Sequence, residues 1–157
     1  MSSIAPTDLT DAHWQALHEL AMEAMTHAYA PYSRFKVGAA ALVDDGRLVS
    51  GCNVENAGYG VTLCAECGMV SDLIRSGGGP LVAVVAVNGN EEPVAPCGRC
   101  RQLISEHGGP SCLVLMPDGV APMTEVLPGA FGPHDLSSVA QAAPASSEEK
   151  EEHDGSL

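Results

Sequence analysis

Three cysteines in this sequence have the spacing of a metal site. Cys97 and Cys100 are three residues apart in the segment Pro96-Cys97-Gly98-Arg99-Cys100, and Cys64 opens the segment Cys64-Ala65-Glu66. Residues at i and i+3 lie on one face of a helix, so Cys97 and Cys100 can bind one ion together. A catalytic zinc takes three protein ligands and keeps a fourth position for water. The pattern therefore predicts one Zn²⁺ per chain, held by Cys64, Cys97 and Cys100.

Glu66 follows the first cysteine by two residues, which places a carboxylate near the metal without making it a ligand. Zinc lowers the pKa of a bound water to about 7. A carboxylate at this position can take a proton from that water and pass it to a substrate. On its own, a Glu in a first helical turn is more often a solvated charge. Its place beside Cys64 favours a catalytic role.

The combined pattern resembles the signature of zinc-dependent deaminases, in which a Cys-or-His, x, Glu element precedes Pro-Cys-x-x-Cys. Over roughly residues 12–136 the chain is similar to the small, homotetrameric cytidine deaminases. The resemblance implies hydrolytic deamination of free cytidine and 2′-deoxycytidine at C4, a step of pyrimidine salvage, with Glu66 as the proton shuttle. It also implies a three-layer α/β/α sandwich around a mixed five-stranded sheet.

Two further segments resemble the substrate-binding elements of that family. They are the strand that begins at Phe35 and the element Asn53-Val54-Glu55-Asn56-Ala57. The resemblance implies that Phe35 packs against the pyrimidine and that the backbone of Ala65 holds the base edge. It implies that Asn53 and Glu55 hydrogen-bond the ribose 3′-hydroxyl. Without the resemblance, Phe35 would be read as a core residue and Asn53 as a turn cap.

Two aromatic residues are implied to act across subunits. Leu127-Pro128-Gly129-Ala130-Phe131 resembles the C-terminal signature of the family, in which the Phe reaches a neighbouring subunit's site. Phe131 would then complete that site, and Tyr59 lies in a loop that also meets a neighbour. The expected partners are therefore further copies of this chain and a free nucleoside.

The chain departs from the family at Cys67, where many members have Arg directly after the catalytic Glu. Zn²⁺ with three thiolates has a net charge of −1, which that Arg offsets. We expect Arg99, inside the Cys-x-x-Cys, to supply the compensating charge here. On this hypothesis Arg99→Ala weakens zinc retention far more than Arg101→Ala does.

Cys67 also leaves open two other hypotheses about the function of these cysteines. Cys64-x-x-Cys67 with Cys97-x-x-Cys100 is compatible with a noncatalytic four-cysteine structural zinc module, although the 29 residues between the pairs exceed the usual ribbon spacing of about 15–20. A closed site of that kind has no coordination position for water, so Glu66 would have no proton to transfer. A thioredoxin-like redox role for Cys64 and Cys67 would need a strand before Cys64, where the sequence predicts a long loop.

A third alternative keeps the chemistry and changes the substrate. A related aminohydrolase acting on a cationic cytosine-nucleoside antibiotic such as blasticidin S would suit an acidic chain. The ribose element that begins at Asn53, together with Phe131, favours cytidine.

The predicted elements alternate between helices and strands. The spacing of apolar residues predicts a first helix that begins at Thr10 and runs to about Ala28. Helices are also expected from near Cys64 to Gly77 and from near Cys97 to Gly108. Strands are predicted at residues 35–43, 48–54, 81–87 and 112–116, with a fifth short strand before Leu127. The run at 81–87 is apolar throughout, which predicts a strand buried on both faces.

Charge and composition limit the possible partners. The formal net charge of the 157-residue chain is −13; residues 140–157 contribute −4 and residues 1–139 contribute −9. Such a chain has no general attraction for nucleic acid or for an anionic membrane surface. We expect a catalytic domain over residues 1–139 and an acidic, disordered tail over residues 140–157. With no signal-peptide pattern and no run that could span a bilayer, the expected compartment is the cytoplasm.

Overall fold

The computed structural model describes residues 3–142, in which helices and strands alternate along the chain. Two short 3₁₀ turns, Pro6–Asp8 and Tyr59–Val61, accompany the longer elements. The helices are α1 (Asp11–Thr26), α2 (Ala65–Arg75), α3 (Gly98–Gly108), α4 (Met123–Val126) and α5 (Pro133–Ala142). The strands are β1 (Val37–Val43), β2 (Leu48–Cys52), β3 (Leu81–Asn88), β4 (Leu113–Met116) and β5 (Gly119–Pro122).

The strands form one mixed sheet in the order β2-β1-β3-β4-β5. β1 is antiparallel to both β2 and β3, so β2 and β3 run in the same direction. β3 and β4 are parallel, and β4 and β5 form an antiparallel hairpin. Because α2 follows β2 and α3 follows β3, both helices begin at the same edge of the sheet. Ligand sites in sheets of this kind form at the carboxyl ends of parallel strands.

Side chains of the central strands alternate between two cores, which gives the fold three layers. Ala39, Ala41 and Val43 of β1 pack into a cluster with buried residues of α2 and α3. Ala40 and Leu42 face the opposite side, where they pack with buried residues of α1. β3 is buried on both faces, as its uninterrupted apolar run predicts. The predicted α/β sandwich with a mixed five-stranded sheet is thus confirmed.

Glycine at position 51 allows the first turn of α2 to lie directly on β2. A Cβ atom on Gly51 would stand 2.3 Å from the backbone nitrogen of Met69 and 2.5 Å from the carbonyl oxygen of Ala65. Neither backbone atom can move without shifting the helix, and overpacking of this kind costs about 1–3 kcal/mol. The close approach fixes the helix start that carries Glu66.

The structure differs from the sequence prediction mainly at element ends. β1 begins at Val37 rather than Phe35, because the side-chain amide of Asn53 binds the backbone of residues 35 and 37 before the ladder starts. β2 ends at Cys52 rather than Val54, because Val54 forms isolated bridges with Tyr29 and Leu63 instead. α4 and α5 have no counterpart in the prediction.

The predicted boundary at residue 139 lies inside a helix, since α5 continues to Ala142. The rest of the expected acidic tail, residues 143–157, lies outside the described residues. Within residues 3–142, no helix has both the length and the apolar character needed to cross a membrane.

Candidate metal centre and active site

The sulfur atoms of Cys64, Cys97 and Cys100 converge at the helix starts. All three lie within 4.8 Å of one another. The Sγ atoms of Cys64 and Cys97 are 3.8 Å apart, and those of Cys97 and Cys100 are 3.5 Å apart. Two helices that begin at one sheet edge therefore bring together residues that are more than 30 positions apart in the chain.

Local backbone conformation points these thiols at a common centre. Cys64 is the N-cap of α2 and Cys97 is the N-cap of α3, and both have extended backbone angles. An N-cap side chain turns back toward the unpaired N–H groups of the first helical turn. Cys100 is one turn into α3 and is fully buried. The partial positive charge of two helix N-termini favours thiolates at this place.

The spacing of the sulfur atoms fits a tetrahedral zinc ion. Zn–S bonds are about 2.3 Å, so two sulfurs of one tetrahedron are separated by about 3.8 Å. The two S···S distances of 3.8 and 3.5 Å agree with that edge length. The donor set of three thiols is one that zinc accepts readily.

Without a cation, the local environment works against ionisation of two of the three thiols. Burial raises the pKa of Cys64. Burial also raises the pKa of Cys100, and the Glu66 carboxylate raises it further. Burial has the same effect at Cys97, but hydrogen bonds from the backbone and thiol of Cys100 outweigh it and hold the pKa of Cys97 below its usual range. A divalent cation supplies the charge that three thiolates at this distance require.

Glu66 is a buried carboxylate in the first turn of α2, with 5% of its surface exposed. It is the one buried charged residue within the part of the chain that the structure describes. Together with the three cysteines, Ala65 and Asn53, it lines a cavity of about 180 Å³. Burying a charge is costly unless it has partners, so a carboxylate held here indicates function rather than solubility.

Arg99 contacts the cysteine cluster directly. Its Nη2 donates to the Sγ of Cys64 at 3.4 Å and to the carbonyl oxygen of Thr62 at 2.9 Å. The hydrogen bond to Cys64 and the charge of Cys67 raise the pKa of Arg99. The guanidinium therefore lies where a positive charge offsets the thiolates.

Arg101 makes structural hydrogen bonds, so Arg101→Ala is a poor control for Arg99→Ala. Its Nε donates to the carbonyl oxygen of Pro96 at 2.9 Å, and its Nη1 donates to that of Val126 at 2.9 Å. These bonds connect α3 to the end of α4, and their loss would disturb the helix that carries two of the cysteines. Arg101→Ala would therefore remove structural contacts, and it does not isolate the effect of charge at the sulfur cluster.

Cys67 lies outside the group of three sulfur atoms. The three-member group in residues 3–142 comprises Cys64, Cys97 and Cys100, and Cys67 is not part of it. Cys67 is half-buried in α2, where its backbone N–H bonds to the carbonyl oxygen of Cys64. This arrangement argues against a closed four-cysteine site, because the sulfur of Cys67 is not among the three that converge.

Asn53 and Glu55 attach the end of β2 to the segment that precedes β1. The amide oxygen of Asn53 accepts from the N–H of Val37 at 2.8 Å, and its Nδ2 donates to the carbonyl oxygen of Phe35 at 2.9 Å. Glu55 accepts from the backbone N–H of Tyr32 at 2.9 Å. Both side chains thus hold the loop on which Phe35 is presented.

The three predicted aromatic contacts are exposed and border other cavities. Phe35, Tyr59 and Phe131 are 51%, 78% and 57% exposed. Tyr59 lines a cavity of about 340 Å³ with Glu55, and its ring stands edge-on to Tyr32 with 6.4 Å between centroids. Phe35 borders a third cavity beside residues 88–90. The single chain therefore does not bring these rings into the cysteine cavity.

Phe131 borders a cavity that shares no lining residue with the cysteine cavity. It lies in a cavity of about 380 Å³ between the end of α3 and residues 127–134. Gln102 of α3 donates to its carbonyl oxygen at 2.8 Å, while the ring remains open to solvent. An exposed ring on a well-fixed backbone is suited to a contact with another molecule.

Several residues of the site carry no sequence signal. Val37, Leu63, Val94 and Ala95 line the cysteine cavity, and Thr62 borders both this cavity and the one beside Glu55. In the sequence, apolar residues of these types cannot be distinguished from ordinary core residues. Only the convergence of three loops at one sheet edge makes them part of a site.

Known proteins with similar sequences are cytidine deaminases. The family model described as the cytidine and deoxycytidylate deaminase zinc-binding region matches residues 12–116. A cytidine deaminase of Mycobacterium tuberculosis is 52% identical over 128 residues, which cover 82% of this chain and 96% of the relative. A cytidine deaminase of Sporosarcina psychrophila is 40% identical over 124 residues, covering 76% of this chain and 91% of the relative.

Solved structures give the same result. The crystal structure of cytidine deaminase from Mycobacterium leprae has a TM-score of 0.74 at 54% identity, covering 75% of this chain and 99% of that one. The corresponding structure from Mycobacterium tuberculosis has a TM-score of 0.75 at 52% identity, covering 79% and 99%. With its three convergent cysteines and its buried Glu66, the chain belongs to the zinc-binding cytidine and deoxycytidylate deaminase family.

Proposed function

We propose that this protein hydrolyses the C4 amino group of free cytidine and 2′-deoxycytidine, giving uridine or 2′-deoxyuridine and ammonia. The observation that carries the proposal is a buried Glu66 beside three sulfur atoms that lie within 4.8 Å of one another. The named relatives at 52% identity are cytidine deaminases, and their family acts hydrolytically. A role in pyrimidine salvage follows from this substrate class.

In this proposal Cys64, Cys97 and Cys100 hold one Zn²⁺ per subunit. When bound, zinc would act as a Lewis acid that lowers the pKa of water to about 7. The sulfur spacing and the two helix N-termini support this ligand set. Arg99 offsets the net negative charge of the centre through its contact with the sulfur of Cys64.

Glu66 moves the protons of the reaction. Its carboxylate takes a proton from the attacking water and delivers it to a ring nitrogen, which activates C4 for attack. The tetrahedral carbon then carries both an oxygen and the amino group. Glu66 then takes the remaining proton of the C4 hydroxyl and delivers it to the amino group, and ammonia leaves as the C4 carbonyl forms. Because Glu66 is buried, its carboxylate is not screened by bulk water.

The nucleoside is held by the residues that surround the cavity. The backbone of Ala65 lies in the cavity wall and holds the base edge. The ring of Phe35, which borders the space beside residues 88–90 in the single chain, packs against the pyrimidine face when the nucleoside is bound. Asn53 and Glu55 bind the ribose 3′-hydroxyl. A neutral sugar needs a few directed hydrogen bonds of this kind, and a flat base needs an apolar wall.

The active assembly in this proposal is a homotetramer in which neighbours complete each site. Phe131 reaches across to the next subunit, and Tyr59 meets a neighbour, which gives both exposed rings a partner. Nucleic acid and membranes are not expected partners, because the chain has only seven Lys and Arg against 20 Asp and Glu. All six cysteines are free thiols, which suits the reducing cytoplasm.

Glu66→Gln tests the reaction. The variant keeps the shape of the side chain but cannot carry the proton, so we expect cytidine turnover to fall by at least about 10²-fold while zinc content stays near one per chain. Uridine formation is followed by the fall in absorbance, and zinc is measured in both proteins. Equal turnover by the variant and the parent would refute the assignment of Glu66.

Cys67→Ala tests the ligand set. Because the Cys67 sulfur is outside the three-sulfur group, we expect the variant to retain about one zinc per chain. Cys97→Ala is the matched control, and it should lose most of the metal. Loss of zinc from Cys67→Ala to the same extent as from Cys97→Ala would favour a four-cysteine site.

Arg99→Ala tests charge compensation. Without the guanidinium, the thiolates lose their nearest positive charge, so zinc should pass to a chelator at least about tenfold faster than from the parent. Arg75→Ala is a better control than Arg101→Ala, because Arg75 is exposed and, within residues 3–142, its one ion pair is with Asp72. If Arg99→Ala and Arg75→Ala release zinc at the same rate, Arg99 has no such role.

A subunit-mixing experiment tests the cross-subunit role of Phe131. Phe131→Ala removes the ring from every site and should lower kcat/KM for cytidine at least about tenfold. In assemblies that combine Phe131→Ala and Glu66→Gln subunits, some sites regain both an intact Glu66 and a neighbour's Phe131. The mixture should therefore exceed the summed activity of the two variants assayed alone. Activity equal to that sum would place Phe131 in its own chain's site or outside any site.

A further inference from the structure

The hydroxyl of Ser33 connects two residues of the proposed substrate site. Its Oγ donates a short hydrogen bond to Oε1 of Glu55. The same oxygen accepts the backbone N–H of Phe35 at 2.9 Å. A serine hydroxyl has one proton to donate, so that proton is committed to the carboxylate. One small side chain thus fixes a carboxylate on the sugar side and the backbone of the residue on the base side.

The hydrogen bonds of Glu55 leave it with a defined free position. Its Oε2 accepts the backbone N–H groups of Tyr32 at 2.9 Å and Ser33 at 3.2 Å. Its Oε1 accepts the Ser33 hydroxyl. An ionised carboxylate has about four acceptor positions, and three are used here. The position that remains for a sugar hydroxyl is on the oxygen that Ser33 orients.

The electrostatic setting agrees with this geometry. The Ser33 hydrogen bond is the main reason that the pKa of Glu55 lies below its usual range, and it outweighs the effect of burial. The carboxylate therefore stays ionised and acts as an acceptor. It lines a cavity of about 340 Å³ that shares Thr62 with the cysteine cavity, so the two spaces adjoin.

We propose that Ser33 is a positioning residue that aims the free acceptor of Glu55 at the ribose and so sets the preference for nucleosides that carry a 3′-hydroxyl. The proposal rests on the proposed role of Glu55 in binding the sugar. It adds a residue that no part of the zinc chemistry requires. These hydrogen bonds join Ser33 to Glu55 and to the backbone of Phe35, and none of them involves Cys64, Cys97 or Cys100.

Binding measurements in the Glu66→Gln background test the proposal without catalysis. Calorimetry compares cytidine with 3′-deoxycytidine, which lacks the hydroxyl in question. Losing a hydrogen bond to a charged group should raise the Kd for cytidine about tenfold in S33A, and the Kd for 3′-deoxycytidine at most about threefold. Ser33→Thr keeps the hydroxyl and should restore both values. Ser71→Ala, on the exposed side of α2, is the matched control.

The active proteins give a second measurement. In S33A the KM for cytidine should rise about tenfold while kcat stays within about twofold, because Glu66 and the cysteines are untouched. An equal loss of binding for the two nucleosides, or an unchanged Kd for cytidine, overturns the proposal. If the parent does not turn over cytidine at all, the proposed function fails, and the binding contrast still decides the role of Ser33.

Discussion

Three thiolates can stay within 4.8 Å of one another only if positive charge offsets their mutual repulsion. The structure places several sources of positive charge at the cluster. Two helix N-termini point at the cluster, Arg99 donates to the sulfur of Cys64, and the sulfur spacing matches a zinc ion. Other features of the site depend on this centre. In the proposed reaction, Glu66 can carry protons because it is buried beside these sulfurs and is not part of the three-sulfur group.

The sheet topology makes the centre possible. β2 and β3 run in the same direction on either side of β1, so α2 and α3 begin at a common edge. The close contact at Gly51 then fixes the first turn of α2 against β2. The same edge carries the loops after β2 and β3, which form the remaining walls of the cavity. Metal, proton carrier and substrate walls are therefore positioned by one architectural feature.

The proposed sugar side of the site is built from hydrogen bonds rather than from packing. The amide of Asn53 bonds to the backbone of residues 35 and 37. Ser33 bonds to the carboxylate of Glu55 and to the backbone of Phe35, although few of these groups are buried. The rings of Phe35, Tyr59 and Phe131 are left half-exposed or more in one chain. A fixed polar frame with open aromatic rings is consistent with the proposed completion of the site by neighbouring subunits.

The sequence alone determined the chemistry, because ligand type and short-range spacing are local properties. The metal-ligand spacing is visible in two motifs, Cys97-x-x-Cys100 and Cys64-x-Glu66. The pattern also predicts the three main helices and all five strands, because helix starts and apolar periodicity depend on neighbouring residues. Only the tertiary structure decided that Cys67 is excluded from the sulfur group, that Arg101 supports α4 while Arg99 meets the thiols, and that Ser33 orients Glu55. Those contacts join residues 20 or more positions apart or depend on the direction of one side chain, and no local pattern encodes either.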